Sequence, residues 1–130
     1  MYRILIAEDD PVHRNMLARS IGRLGCRVET VDTCGKLRRM LRRARYALVL
    51  LDLALPDCDG IEAVEMIGRS RAFDPPPTIV ISGICDVWAI QRARRAGARG
   101  YLIKTRFNTR QLLQEVERSL AWAPVAHAAG

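Results

Sequence analysis

Three carboxylates in a row, Glu8-Asp9-Asp10, follow the apolar run Ile4-Leu5-Ile6-Ala7. A fourth, Asp52, closes the most hydrophobic stretch of the chain, Tyr46 to Leu51. Ser82 ends the run Thr78 to Ile81, and Lys104 follows directly on residues 99–103. Carboxylates packed together repel, so they retain a proton or take up a cation. An all-oxygen set suits a hard ion such as Mg2+, which keeps several waters and favours phosphate as a co-ligand. A carboxylate can also act as a nucleophile and form an aspartyl phosphate. Such a transfer needs positive charge near the phosphoryl oxygens, which Mg2+ and Lys104 would supply, and Ser82 could donate a hydrogen bond to the bound phosphate. Metal binding alone accounts for the acids but not for the lysine and the serine.

For these residues to meet, the elements between them must form one sheet. Ile4–Ala7, Arg27–Val31, Tyr46–Leu51, Thr78–Ile81 and residues 99–103 read as strands, most of them apolar throughout as in a buried parallel sheet. Asp10-Pro11 predicts a helix start, continued by Val12, Met16, Leu17, Ile21 and Leu24 and stopped by Gly25. Leu37, Met40, Leu41 and Ala44 mark a second amphipathic helix. Pro56, Asp57, Asp59 and Gly60 form a turn, and Ile61, Val64 and Ile67 mark a third helix. The fourth runs from Asp86 to Ala96 and is closed by Gly97, and the fifth opens on a capping box, Asn108 with Gln111. Five β-α units in succession predict a doubly wound α/β domain with helices on both faces of a parallel sheet. Sites in such folds lie beyond the carboxyl ends of the strands, where these polar residues fall.

The 130 residues, 49% hydrophobic and 27% charged, suffice for one domain. The domain is expected over 1–121, with 122–130 a flexible tail or the start of a linker. There is no apolar stretch of membrane-spanning length and no secretion signal at the start, so a cytoplasmic location is expected. Lys and Arg number 21 against 14 Asp and Glu, a formal charge of +7. The excess concentrates in Lys36 to Arg45 and in Arg92 to Arg110, and reads as solvated helix faces without a recognition-helix motif. Cys26, Cys34, Cys58 and Cys85 are irregularly spaced, against a zinc site and against a disulfide scaffold. Four reduced thiols are expected. Cys58 and Cys85, both in loops at one sheet edge, leave a redox pair open.

The ordered set of Ile-Ala-Glu8-Asp9-Asp10, Asp52, Leu55-Pro56-Asp57-x-Asp59-Gly60, Ser82-Gly83 and Gly97-Ala98-Arg99-Gly100-Tyr101-Leu102-Ile103-Lys104 resembles the receiver domains of two-component response regulators, the CheY-like superfamily. The resemblance implies a flavodoxin-like sheet of strand order 2-1-3-4-5. It makes Asp52 the phosphoacceptor, Asp9 a direct Mg2+ ligand, Glu8 a ligand through water, and the Ala54 main-chain carbonyl a further ligand. Lys104 is then the phosphate-contacting lysine, Ser82 the switch hydroxyl, and Tyr101 the aromatic that turns inward when the hydroxyl moves. Asp10 reads as a helix cap. Thr105 stands where many receivers have a proline, often with a cis bond; without proline a cis bond costs roughly 2.5–4 kcal/mol, so a trans bond is expected.

The function so implied is a phosphorylation-dependent signalling switch, not an enzyme with a separate substrate, that promotes its own phosphorylation and dephosphorylation. Its partners would be a histidine kinase or phosphotransfer protein, and a downstream protein target or linked output domain at the face of helix 4, strand 5 and helix 5. A homodimer is left open, while membrane partners and direct nucleic-acid binding are not expected. The alternative is a receiver-like interaction module that works without phosphorylation, against which the intact Asp52, Ser82 and Lys104 weigh. A flavin carrier of the same topology is disfavoured because Glu8-Asp9-Asp10 would repel a flavin phosphate.

Overall fold

In the computed structural model, residues 2–70 and 74–121 are described. The tail expected at 122–130 lies outside them. The elements alternate as predicted: β1 (Arg3–Ala7), α1 (Pro11–Gly22), β2 (Arg27–Val31), α2 (Cys34–Arg43), β3 (Leu48–Asp52), α3 (Gly60–Gly68), β4 (Thr78–Ser82), α4 (Val87–Ala96), β5 (Gly100–Ile103) and α5 (Thr109–Ala121). The five strands are parallel and ordered β2-β1-β3-β4-β5.

The side-chain period of two divides each buried strand between two cores. Ile4, Ile6, Leu48, Leu50, Ile79 and Ile81 pack with Leu17 and Ile21 of α1 and with Leu112 and Val116 of α5. Leu5, Val49, Leu51 and Val80 pack on the opposite face with Leu37 and Leu41 of α2, Val64 and Ile67 of α3, and Ala93 of α4. Each fully buried aliphatic side chain contributes about 1.5–3 kcal/mol relative to exposure, so β3, buried along its whole length, anchors the sheet.

Local capping follows the sequence. The Asp10 carboxylate accepts the Val12 N–H at 3.1 Å. Asn108 and Gln111 bond reciprocally at 3.0 and 2.8 Å. Among the described residues there is no cis peptide bond, as expected after Lys104. No helix among them is long and apolar enough to cross a membrane.

Two expectations are corrected. The inward face of α1 is not the one that starts at Val12. Val12 is 77% exposed and Met16 38%, while Leu17, Ser20 and Ile21 are buried and His13 takes the inward place in the first turn. The helix also ends at Gly22, three residues before Gly25, whose φ of +77° belongs to the turn that follows. The cysteines depart further. Cys34 and Cys58 form a disulfide with Cα atoms 6.1 Å apart, and only Cys26 and Cys85 are free thiols. Cys58 therefore pairs with Cys34 and not with Cys85. The reason is the layering, since α2 and the β3–α3 loop pack on the same face of the sheet, where Cys34 and Cys58 join one core.

Candidate functional site

Sheet register assembles the site. Ala7 lies opposite Leu51, so the next residues, Glu8 and Asp52, emerge side by side at the carboxyl edge. Both continue the parity of Ile6 and Leu50, as Lys104 continues that of Leu102, so all three turn toward the α1/α5 side. Ser82 carries the parity of Val80 and turns with Tyr101 toward the α4 side.

The three side chains meet. The Lys104 ammonium lies 2.8 Å from Glu8 Oε1 and 3.0 Å from Asp52 Oδ2. Asp52 Oδ1 accepts the Ala54 N–H at 2.9 Å. Glu8 and Asp52 are almost fully buried, at 1% and 3% exposed, and the lysine remains partly open to solvent. Burial pushes the Glu8 carboxyl up to about 7, with Asp52 adding to the rise and Lys104 opposing it. Burial also disfavours ionised Asp52, but hydrogen bonds from the Glu8 carboxyl, the Ala54 N–H and Lys104 outweigh it and hold Asp52 below the usual carboxylate range. Lys104 is raised because its two acidic contacts exceed the cost of its burial. The pair thus holds one proton near neutrality, on Glu8, beside an ionised Asp52.

The residues suit a hard divalent cation. Glu8, Asp9 and Asp52 each offer a carboxylate oxygen, all within 4.8 Å of one another. Among the described residues nothing donates a hydrogen bond to the buried Glu8 Oε2. A cation at that point would relieve both the orphan oxygen and the carboxylate repulsion.

Ser82 and Tyr101 stand apart from this triad. The buried Ser82 Oγ accepts the Ile84 N–H at 3.1 Å, and the Tyr101 hydroxyl donates to the Ile84 carbonyl at 2.8 Å. The strand ends are joined through the backbone, where the Lys104 N–H donates to the Ser82 carbonyl at 2.9 Å.

Two contributors escaped the sequence reading. His13 Nδ1 lies 2.7 Å from Glu8 Oε1, and burial followed by the Lys104 charge holds its imidazole below the usual value. Its signal was its spacing: His13, Leu17 and Ile21 make a helical stripe. Asp57, read as a turn residue, accepts N–H bonds from Cys34 at 2.7 Å and Gly35 at 3.0 Å, capping α2 from another element.

The family model of the response regulator receiver domain matches residues 4–117. The response regulator receiver protein CpdR of Brucella abortus is 31% identical over 121 residues, covering 92% of this chain and 98% of that protein. A protein-glutamate methylesterase/protein-glutamine glutaminase of Anaeromyxobacter dehalogenans is 32% identical over 91% of this chain, which spans only 34% of that protein. Among solved structures, the receiver domain of a sensor histidine kinase from Pseudomonas aeruginosa PAO1, with magnesium coordinated in its active-site cleft, superposes with a TM-score of 0.82 at 28% identity over 92% of this chain and 98% of that one.

Proposed function

This chain belongs to the response regulator receiver domain family, and from that premise we propose that it is a switch of a two-component system that accepts a phosphoryl group on Asp52. The observation that carries this reading is the Lys104 ammonium bound to both Glu8 and Asp52 at a buried strand edge.

An oxygen of Asp52, ionised at neutral pH, attacks the phosphorus of a kinase phosphohistidine or of a small acyl phosphate. The bond from phosphorus to the donor nitrogen or oxygen breaks, and its electron pair leaves with the donor. Glu8, Asp9, Asp52 and the Ala54 main-chain carbonyl would hold Mg2+, which when bound neutralises charge on the phosphoryl oxygens. Lys104 gives up its contact with Asp52 and turns to the same oxygens. Ser82 releases the Ile84 N–H and donates its hydroxyl to the phosphate. Tyr101 then leaves the Ile84 carbonyl for the space toward the sheet. The surface of α4, β5 and α5, with Trp88, Arg92, Arg95 and Arg106, changes with it. Phosphate favours whichever arrangement it contacts better, so the change is a population shift.

The donor is a histidine kinase or phosphotransfer protein, the recipient a protein target or output domain at the α4-β5-α5 face, and the setting cytoplasmic. Intact-mass spectrometry after incubation with acetyl phosphate and Mg2+ tests the reading. A gain of one phosphoryl group that needs Mg2+ and is lost in Asp52→Asn is expected. No gain with acetyl phosphate or a cognate kinase would favour an interaction module that works unphosphorylated.

A further inference from the structure

The Cys34–Cys58 bond crosses between two elements at the edge of the sheet that carries Asp52. Cys34 is the first residue of α2, and Cys58 lies in the loop that leaves Asp52 for α3. Around the site that loop makes two close contacts. Its Ala54 N–H holds Asp52 Oδ1 at 2.9 Å, and Gly60 at its far end lies against the Leu53 backbone.

The two cysteines are also held together without their covalent bond. Asp57, the neighbour of Cys58, grips the N–H groups of Cys34 and Gly35 at the opening of α2. Opening the disulfide therefore leaves both sulfurs facing one another, ready to close again. Their exposure differs: Cys34 is buried and Cys58 half-buried, so an incoming thiolate reaches the Cys58 sulfur first. The sulfur then expelled is that of Cys34, at the opening of α2, where the helix N-terminus favours a thiolate and the Asp57 carboxylate on the Cys34 and Gly35 N–H groups opposes it.

We propose that Cys34 and Cys58 form a reversible thiol–disulfide site, exchanging with small thiols of the glutathione class, whose oxidised state pins the loop that follows Asp52 to the start of α2. The chemistry balances in two exchanges. One thiolate attacks Cys58 Sγ, forming a mixed disulfide and releasing the Cys34 thiolate. A second attacks the small-molecule sulfur of that mixed disulfide, releasing the Cys58 thiolate and the oxidised small disulfide. Oxidation runs the same steps backward. In a reducing compartment a protein disulfide of this kind is transient or redox-sensing, whereas in an oxidising one it is a static staple. A receiver working inside the cell places the pair in the first class; that consequence rests on the proposed function, while the exchange itself does not.

The full chain is equilibrated in glutathione buffers from reducing to oxidising, acid-quenched, alkylated and weighed. Cys26 and Cys85 supply the other alkylations, and any glutathione bound to them is read from its own added mass. Two further alkylations should vanish together across the series, unchanged in Cys85→Ser and without that paired transition in Cys34→Ser. A bond that survives the most reducing buffer is a static staple and overturns the proposal, as does a pair that never closes. Amide exchange across residues 53–60 should be several-fold faster in the reduced protein, and equal exchange in both forms would sever the link to the loop. Neither readout uses phosphorylation. Asp52 labelling on the same samples therefore reports separately on the proposed function.

Discussion

Ser82 and Tyr101 hold opposite ends of one residue's backbone, Ser82 Oγ taking the Ile84 N–H at 3.1 Å and the Tyr101 hydroxyl giving to the Ile84 carbonyl at 2.8 Å. Neither side chain can leave without freeing a side of Ile84. If Ser82 moves toward phosphate, the tyrosine's anchor is loosened in the same step. Ser82→Ala removes one end of this arrangement while leaving Asp52 and Lys104 in place. The variant should still gain a phosphoryl group, lose about 1 kcal/mol of stability, and show little phosphorylation-dependent movement of the Tyr101 ring signals by NMR. A normal Tyr101 response would show that the two act independently.

Glu8 titrates where cells live. With its carboxyl raised to about 7 from 4.5, the folded protein holds a proton that the unfolded chain has released. Metal-free stability should therefore fall as pH rises from about 4.5 to 7, by roughly 1–3 kcal/mol, and level off above. Asp52, held low, stays ionised throughout that window and adds no slope there. Denaturant titrations across pH check this, and Glu8→Gln should flatten the curve.

The same proton competes with a cation. Mg2+ affinity should be steady above about pH 8 and weaken below 7 by up to about tenfold per unit, with proton release on binding. Calorimetry in two buffers of different ionisation enthalpy counts that proton. An affinity independent of pH would mean that Glu8 is not displaced from its proton by the metal.

Among the described residues Lys104 is the one ammonium against both buried acids. Lys104→Met should cost about 1–3 kcal/mol, less than for a fully enclosed pair because the lysine is partly exposed. The loss should be larger at pH 8 than at pH 6, since Glu8 sheds its proton between them and leaves two facing charges. Equal losses at both pH values would contradict the shared-proton pair. Slower phosphorylation from acetyl phosphate should accompany it.

Two glycines separate backbone from side-chain crowding. A Cβ on Gly60 would lie 2.5 Å from the Leu53 Cα and carbonyl oxygen, which only a backbone shift can relieve. On Gly100 the same atom would meet the end of the Glu115 side chain at 2.5 Å, which can swing away. Gly60→Ala should lose about 2–3 kcal/mol and Gly100→Ala less than about 1 kcal/mol by chemical denaturation. The reverse order would show that the loop after Asp52 yields easily.

Much of this molecule is written locally in its chain. Apolar runs of strand length, acids that cap helices within two or three residues, and the Asn108–Gln111 box depend on neighbours in sequence. They were legible for that reason. The polar residues at the ends of β1, β3, β4 and β5 were legible too, because parallel alternation sends every strand's carboxyl end to one edge. What the tertiary structure alone decided are the meetings between elements. The α1 face that turns inward was set by the packing of Leu17 and Ile21 beside α5, which brings His13 to Glu8 and leaves Val12 outside. Asp57 caps a helix whose start lies 23 residues earlier in the chain, and Cys34 finds Cys58 across 24. Those partners follow from which face of the sheet each crossover takes, a choice made by the sum of core packing and absent from the period of any one segment.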